Sequence, residues 1–265
     1  MKYFIDTEFV EGTQYKTFLN IKYGETKPTI DLISIGIVSE TGREYYAISK
    51  DFNLQTAWKN EWVKNNVLKS IWVELMQKDH FNTFNFNLDV SELDSTHMTY
   101  KCFKQLIKEY GKSNYQIAEE ILNFCSNGYF DNTGLTFKEK KKYPVYDIFI
   151  PEFYAYYADY DWVVFCWLFG RMIDLPKGFP WYCKDLKQML DETAELLTSY
   201  ELSTLAHDPI VTHNVYSTYD SGVLKCSKTD LLKNALNYPK QDNEHNALDD
   251  AKWNQKLYNF IMQLK

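Results

Sequence analysis

The chain has 265 residues, of which 45% are hydrophobic and 25% charged, so it can bury a sizeable core and needs no special class. A formal net charge of −7 excludes a protein that grips nucleic acid by global attraction, although divalent cations in a carboxylate-lined cleft would invert the sign locally. Cys102, Cys125, Cys166, Cys183 and Cys226 show no C-x-x-C spacing, which points to reduced thiols and no zinc site. No secretory signal precedes the first strand, and the longest apolar run, Trp162 to Phe169, is too short to span a bilayer. The expectation is a cytoplasmic protein, in a host's cytoplasm for a phage gene, with no membrane partner.

The opening run Lys2 to Phe9 is rich in β-branched and aromatic residues and predicts a strand. A polar, Gly-containing stretch follows from Glu11 to Pro28. Residues 30–38 predict a second strand, Glu40-Thr41-Gly42 a turn and residues 43–49 a third strand, together a hairpin. Near-helical apolar spacing then covers much of 53–128. A Lys-rich loop lies within 129–150, and 151–157 predicts a buried strand. Helix 159–169 stops at Gly170, a short strand is expected at 179–183, and Asp185 is placed to cap helix 186–197. Residues 198–243 are polar and irregular apart from a helix at 231–236, and an amphipathic helix over 246–262 ends the chain. Three antiparallel strands followed by alternating helix and strand predict one α/β domain over 1–265.

Chemistry enters with Asp6 and Glu8. Two apart on a strand, they share a side and repel each other, so they must share a proton or a cation. Advancing ~100° per residue along the last helix puts Asp250 on the apolar side with Ala247, Ala251, Leu257 and Ile261, while Asp249 points away. A carboxylate on an apolar face needs a basic partner or a metal ion. His245 stands just before that helix, with Asn246 as its N-cap. Asp161 lies in the first turn of the helix that follows a predicted central strand, where either a site residue or a simple cap is expected.

The order D-x-E, a middle Asp, then His followed five residues later by Asp resembles the DEDDh exonucleases of the ribonuclease H-like superfamily. YFIDTEF, LISIG with REYYA, AYYADYDW and HNALDDA are similar to the ribonuclease AS group of 3′–5′ exoribonucleases. The resemblance covers about residues 1–71, 116–190 and 244 onward. It leaves 74–115, 129–150 and 198–243 as insertions in a ribonuclease H-like mixed five-stranded sheet flanked by helices.

The resemblance implies hydrolysis of RNA 3′ ends with two Mg²⁺ or Mn²⁺ ions, releasing nucleoside 5′-monophosphates. It implies Asp6, Glu8, Asp161 and Asp250 as the metal ligands, Asp6 bridging, with His245 as general base. Single-stranded RNA is the expected partner, with DNA as the alternative substrate of the same superfamily and a catalytically silent nucleic-acid-binding module as the alternative from another class. Pairing into a homodimer is left open. Phe9 has two readings, a platform for a terminal base and a core residue. Lys138, Lys140, Lys141 and Lys142 form either a solvated face or a phosphate-contacting loop, in which Lys140 and Lys141 are the substrate-binding candidates. His80, His97, His207 and His213 join no motif.

Overall fold

The computed structural model describes residues 1–19, 21–77, 98–130, 132–143, 150–198, 201–202, 205 and 227–265. Among them, five strands form one mixed sheet in the order β3-β2-β1-β4-β5. They are β1 (Lys2–Phe18), β2 (Ile21–Ser39), β3 (Glu44–Ile48), β4 (Glu152–Ala155) and β5 (Lys184–Asp185). The first three pair antiparallel, whereas β4 and β5 run parallel to β1. Helices flank both faces, consistent with a ribonuclease H-like fold.

The helices are α1 (Leu54–Lys59), α2 (Glu61–Val63), α3 (Lys69–Gln77), α4 (Tyr100–Tyr110), α5 (Asn114–Cys125), α6 (Phe137–Lys140), α7 (Ala158–Phe169), α8 (Leu186–Leu196), α9 (Lys228–Lys233) and α10 (Ala247–Gln263). A π-helical turn at Lys64–Leu68 joins α2 to α3. The period-2 alternation of β1 divides its side chains between two cores. Tyr3 and Ile5 pack with Ile117 and Ile121 of α5 and Phe165 of α7. On the other face, Phe4 meets Leu186 of α8 and Leu257 of α10, and Val10 meets Val67, Trp72 and Phe103. None of the helices described is long and apolar enough to cross a membrane.

Two expectations need correcting, and a stretch to which the sequence assigned no element proves to be strand. Residues 11–18 and 21–28 belong to β1 and β2, which run on past the rest of the sheet as a two-stranded ribbon with Leu19 at its turn. Its backbone groups satisfy one another, and its apolar residues Phe18, Ile21 and Tyr23 are exposed, so it lacks the buried face whose alternation marks a strand in sequence. The short strand expected at 179–183 is instead β5 at Lys184–Asp185, and the helix expected at 231–236 is α9, beginning at Lys228 under a Ser227–Asp230 capping box. Asp185 does cap α8, accepting from the Gln188 N–H, and it also accepts from the first N–H of α7, at Ala158. His80, His97, His207, His213 and Cys226 lie outside the described residues, and the remaining four cysteines are free thiols.

One glycine decides how closely α10 approaches the sheet. Gly36 pairs with Asp6 across β1 and β2, and a Cβ there would fall 2.1 Å from the Ala247 carbonyl oxygen. Only a residue without a side chain lets the start of α10 rest on the strand. Gly36→Ala is therefore expected to lower stability by about 1–3 kcal/mol through forced backbone displacement. Urea unfolding measures this, and an unchanged midpoint would mean that the helix can shift without cost.

Candidate active site

Asp6 and Glu8 project from β1 toward the face covered by α10, and Asp250 comes down from the first turn of that helix. Carboxylate oxygens of all three lie within 4.8 Å of one another. Register changes immediately after Glu8: Glu8 opposes Ser34 but Phe9 opposes Leu32, so Ile33 is an extra residue on β2. This bulge bends the sheet at the acidic pair.

Asp161 reaches the same place from the opposite side. Thr7, the residue between the two acids, points the other way and holds it, donating from its N–H at 2.8 Å and from its hydroxyl at 2.6 Å to Asp161 Oδ1. Every residue of the D-x-E triplet thus engages the acidic centre, two directly and one by tethering a third acid. Tyr157, in a left-handed conformation (φ 55°), is the N-cap of α7, whose first N–H, at Ala158, goes to Asp185, whereas Asp161 accepts from its own N–H in the first turn as well as from Thr7.

The loop before α10 explains the five-residue spacing from His245 to Asp250. Asn246 caps the helix by accepting from the N–H groups of Leu248 and Asp249. The His245 N–H turns back to donate to Asp250 Oδ2 at 3.0 Å, and the Gln241 amide donates to Oδ1 at 2.6 Å. His245 adopts a left-handed backbone (φ 68°), which delivers its ring to the cleft, where the Trp62 ring meets it edge-on at 4.8 Å. Asp249 leans away, accepting from Asn243 and pairing with Lys252. One turn beyond Asp250, the buried Asn254 amide donates to the Ile5 carbonyl oxygen at 2.9 Å, fastening α10 to the acid-bearing strand.

The centre is strongly unfavourable for negative charge. Burial, then the charges of Asp161, Glu8 and Asp250, hold Asp6 well above the usual carboxylate range. Burial, then Asp250 and Asp161, push Glu8 up to about 8. Burial raises Asp161 to about 7 despite the two Thr7 hydrogen bonds that favour its anion, and it raises Asp250 against the opposing bonds from Gln241 and His245. Among the described residues, no lysine or arginine pairs with any of the four. Four carboxyl groups without a basic partner suit divalent cations, whose charge would replace the protons.

The surrounding cleft of about 290 Å³ is lined by Phe9, Tyr156, Tyr157 and Tyr160 as well as by the acids and His245. The chain resembles known exoribonucleases. Over 192 residues it is 27% identical to proteins named 3'-5' exoribonuclease in two strains of Mycobacterium tuberculosis, MT2234.1 and Rv2179c, covering 72% of this chain and 75% of theirs. No protein-family model matches.

Two of the residues singled out in the sequence stand apart from the cleft. Lys140 binds Asn123 and pairs with Glu119, and Lys141 donates to the Phe169 carbonyl oxygen between the rings of Phe137 and Phe169. Both are engaged with the protein body. Phe9 packs against the core and the Tyr160 ring, as its core reading expects, and it also lines the cleft. The sequence assigned no role to Thr7, although it lies inside the YFIDTEF motif, nor to Gln241 and Trp62, which no motif marks. Asn254 could have been found, since it falls on the same helical face as Asp250.

Without divalent ions, raised carboxyl pKa values make the folded state bind protons more tightly than the unfolded one. Stability is then fully present below about pH 4 and is lost as pH rises through the folded values of about 7 and about 8 at Asp161 and Glu8. Glu8→Gln removes one titrating group. In EDTA it is expected to melt several degrees above the parent near pH 9 and with a smaller difference near pH 6; melting curves that keep a constant offset across that range would contradict the crowding of charge.

Proposed function

We propose that this protein is a metal-dependent 3′–5′ exoribonuclease of the DEDDh type, related to the ribonuclease AS group, releasing nucleoside 5′-monophosphates. The observation that carries the reading is the convergence of Asp6, Glu8 and Asp250, with Asp161 tethered beside them and His245 at the rim. The activity for which the relatives are named is the reason for choosing RNA over DNA.

In this reading Asp6, Glu8, Asp161 and Asp250 would be the residues that hold the divalent ions. Mg²⁺ or Mn²⁺, when bound, supplies the positive charge that stabilises the attacking and leaving oxygens. The protein's own groups do the rest. His245, at the rim of the cleft, takes a proton from the attacking water. Trp62 restricts the imidazole from one side, and the His245 N–H fixes the distance between base and carboxylate. Gln241 orients Asp250 so that an oxygen faces the cleft. Phe9 and Tyr160 offer apolar surface to the terminal nucleotide.

Asp6→Ala and Asp250→Ala should each abolish release of mononucleotides from RNA, as should EDTA, with activity restored by Mg²⁺ or Mn²⁺. Full activity in either variant would remove these residues from the mechanism. His245→Asn keeps a residue tolerant of the left-handed backbone and should lower kcat by about 100-fold or more while leaving Mn²⁺ affinity unchanged. Weakened ion binding with normal kcat would contradict the base assignment. Matched RNA and DNA oligomers, compared by kcat/KM, decide the sugar preference.

A further inference from the structure

The ribbon formed by the distal halves of β1 and β2 has no role in the chemistry above, yet it grows directly out of the acidic strand. Phe9, which lines the cleft, is also the ribbon's first residue past the bulge. The ribbon is supported as far as Gly12, whose neighbours are Thr29 and Thr56 of α1. Beyond that point β3 and β4 no longer accompany it, since they pair only with Ser34–Val38 and Lys2–Phe4.

Its free end has an unusual surface for a solvent-exposed hairpin. Lys16 opposes Tyr23 and Phe18 opposes Ile21, so these four share one face, because directly opposed residues and residues two apart point the same way. Phe18, Ile21 and Tyr23 are 67%, 68% and 53% exposed. Leu19 sits at the turn with φ 48°. Segment 14–28 holds Lys16, Lys22 and Lys27 against the single acid Glu25, a local excess of positive charge on a chain of net charge −7. Among the described residues neither Lys16 nor Lys27 has an ion-pair partner.

We infer that this ribbon is a binding arm for the upstream part of a single-stranded RNA whose 3′ end occupies the carboxylate cleft. The inference rests on the exoribonuclease reading for the identity of the strand. Exposed aromatic rings beside lysines are the combination that binds single strands without base preference, by stacking on ring faces and by neutralising phosphates. The chain's net negative charge disfavours a polyanion, so a positively charged limb rooted at the cleft gives the strand a favourable path. Ten residues separate Glu8 from Phe18, which at ~3.3 Å each is roughly 30 Å. At ~3.4 Å per stacked nucleotide the arm's end meets a strand about nine nucleotides from its 3′ terminus. Lysines on open strand edges also guard against aggregation; that role alone predicts no effect on RNA.

The test compares the parent with the variant Lys16→Glu/Phe18→Ser/Tyr23→Ser, whose three positions are exposed and make no contribution to a core. Fluorescence anisotropy in EDTA measures binding of 5′-labelled RNA of about 20 and about 4 nucleotides, and Mg²⁺-dependent cleavage of both is followed. The variant is expected to bind the long RNA at least about tenfold more weakly, with a raised KM and a shallower salt dependence, while cleaving the short RNA at the parental rate. Unchanged affinity for the long RNA overturns the inference. So does equal loss on both substrates, which marks a structural effect. A change of solution mass from dimer to monomer with RNA binding intact also overturns it, assigning the tip to self-association. Ribbon-dependent binding by a parent protein that cleaves neither RNA would instead refute the exoribonuclease reading and leave the arm standing.

Discussion

Crowding of like charge at the centre of the sheet is the constraint around which this molecule is arranged. Three carboxyl groups within 4.8 Å of one another, and a fourth held beside them, would push apart in any flexible scaffold. Here each is pinned from behind. Thr7 holds Asp161, Gln241 and the His245 N–H hold Asp250, and the backbone of β1 holds Asp6 and Glu8. The hydrogen bonds all favour the anions, yet burial and mutual repulsion win, and the carboxyl pKa values rise. The balance leaves a centre that is stable when protonated or when cations replace the protons.

Holding that centre together demands close contact between elements far apart in the chain. Gly36 lets the first turn of α10 touch β2, and Asn254 ties the same helix to the Ile5 carbonyl oxygen. These two contacts set the height and the register of α10 above β1, and thereby the position of Asp250 relative to Asp6. On the opposite face, the buried stack of Phe153, Trp162 and Phe165 fixes α7 against the sheet, which brings Asp161 within reach of Thr7. Apolar packing supplies the rigidity, and the polar contacts translate it into placement of single atoms.

The ribbon belongs to a different regime. Two strands alone are marginally stable in water, and among the described residues this pair is anchored at its root, through Val10, Gly12 beside Thr56, and Asp31 on Asn53. A limb so built adapts to a long, irregular partner more readily than a packed element would. Its local charge is opposite in sign to the net charge of the chain, which separates a basic limb from the carboxylate centre.

The acids Asp6, Glu8 and Asp250 were legible in the sequence because local periodicity alone fixes which side of a strand or helix a residue occupies. The same reasoning separated Asp250 from Asp249, which the structure finds turned toward Asn243 and Lys252. Sheet and helix order were legible too, since apolar spacing differs between the two. What folding alone decided are the contacts that carry no periodic signal: Thr7 on Asp161, Gln241 on Asp250, Trp62 on His245, the approach at Gly36. The ribbon left no clear sequence signal for a related reason, because its apolar residues Phe18, Ile21 and Tyr23 are exposed and build no buried face. Local geometry follows from neighbouring residues, but which atoms meet across the core depends on how the whole chain closes on itself.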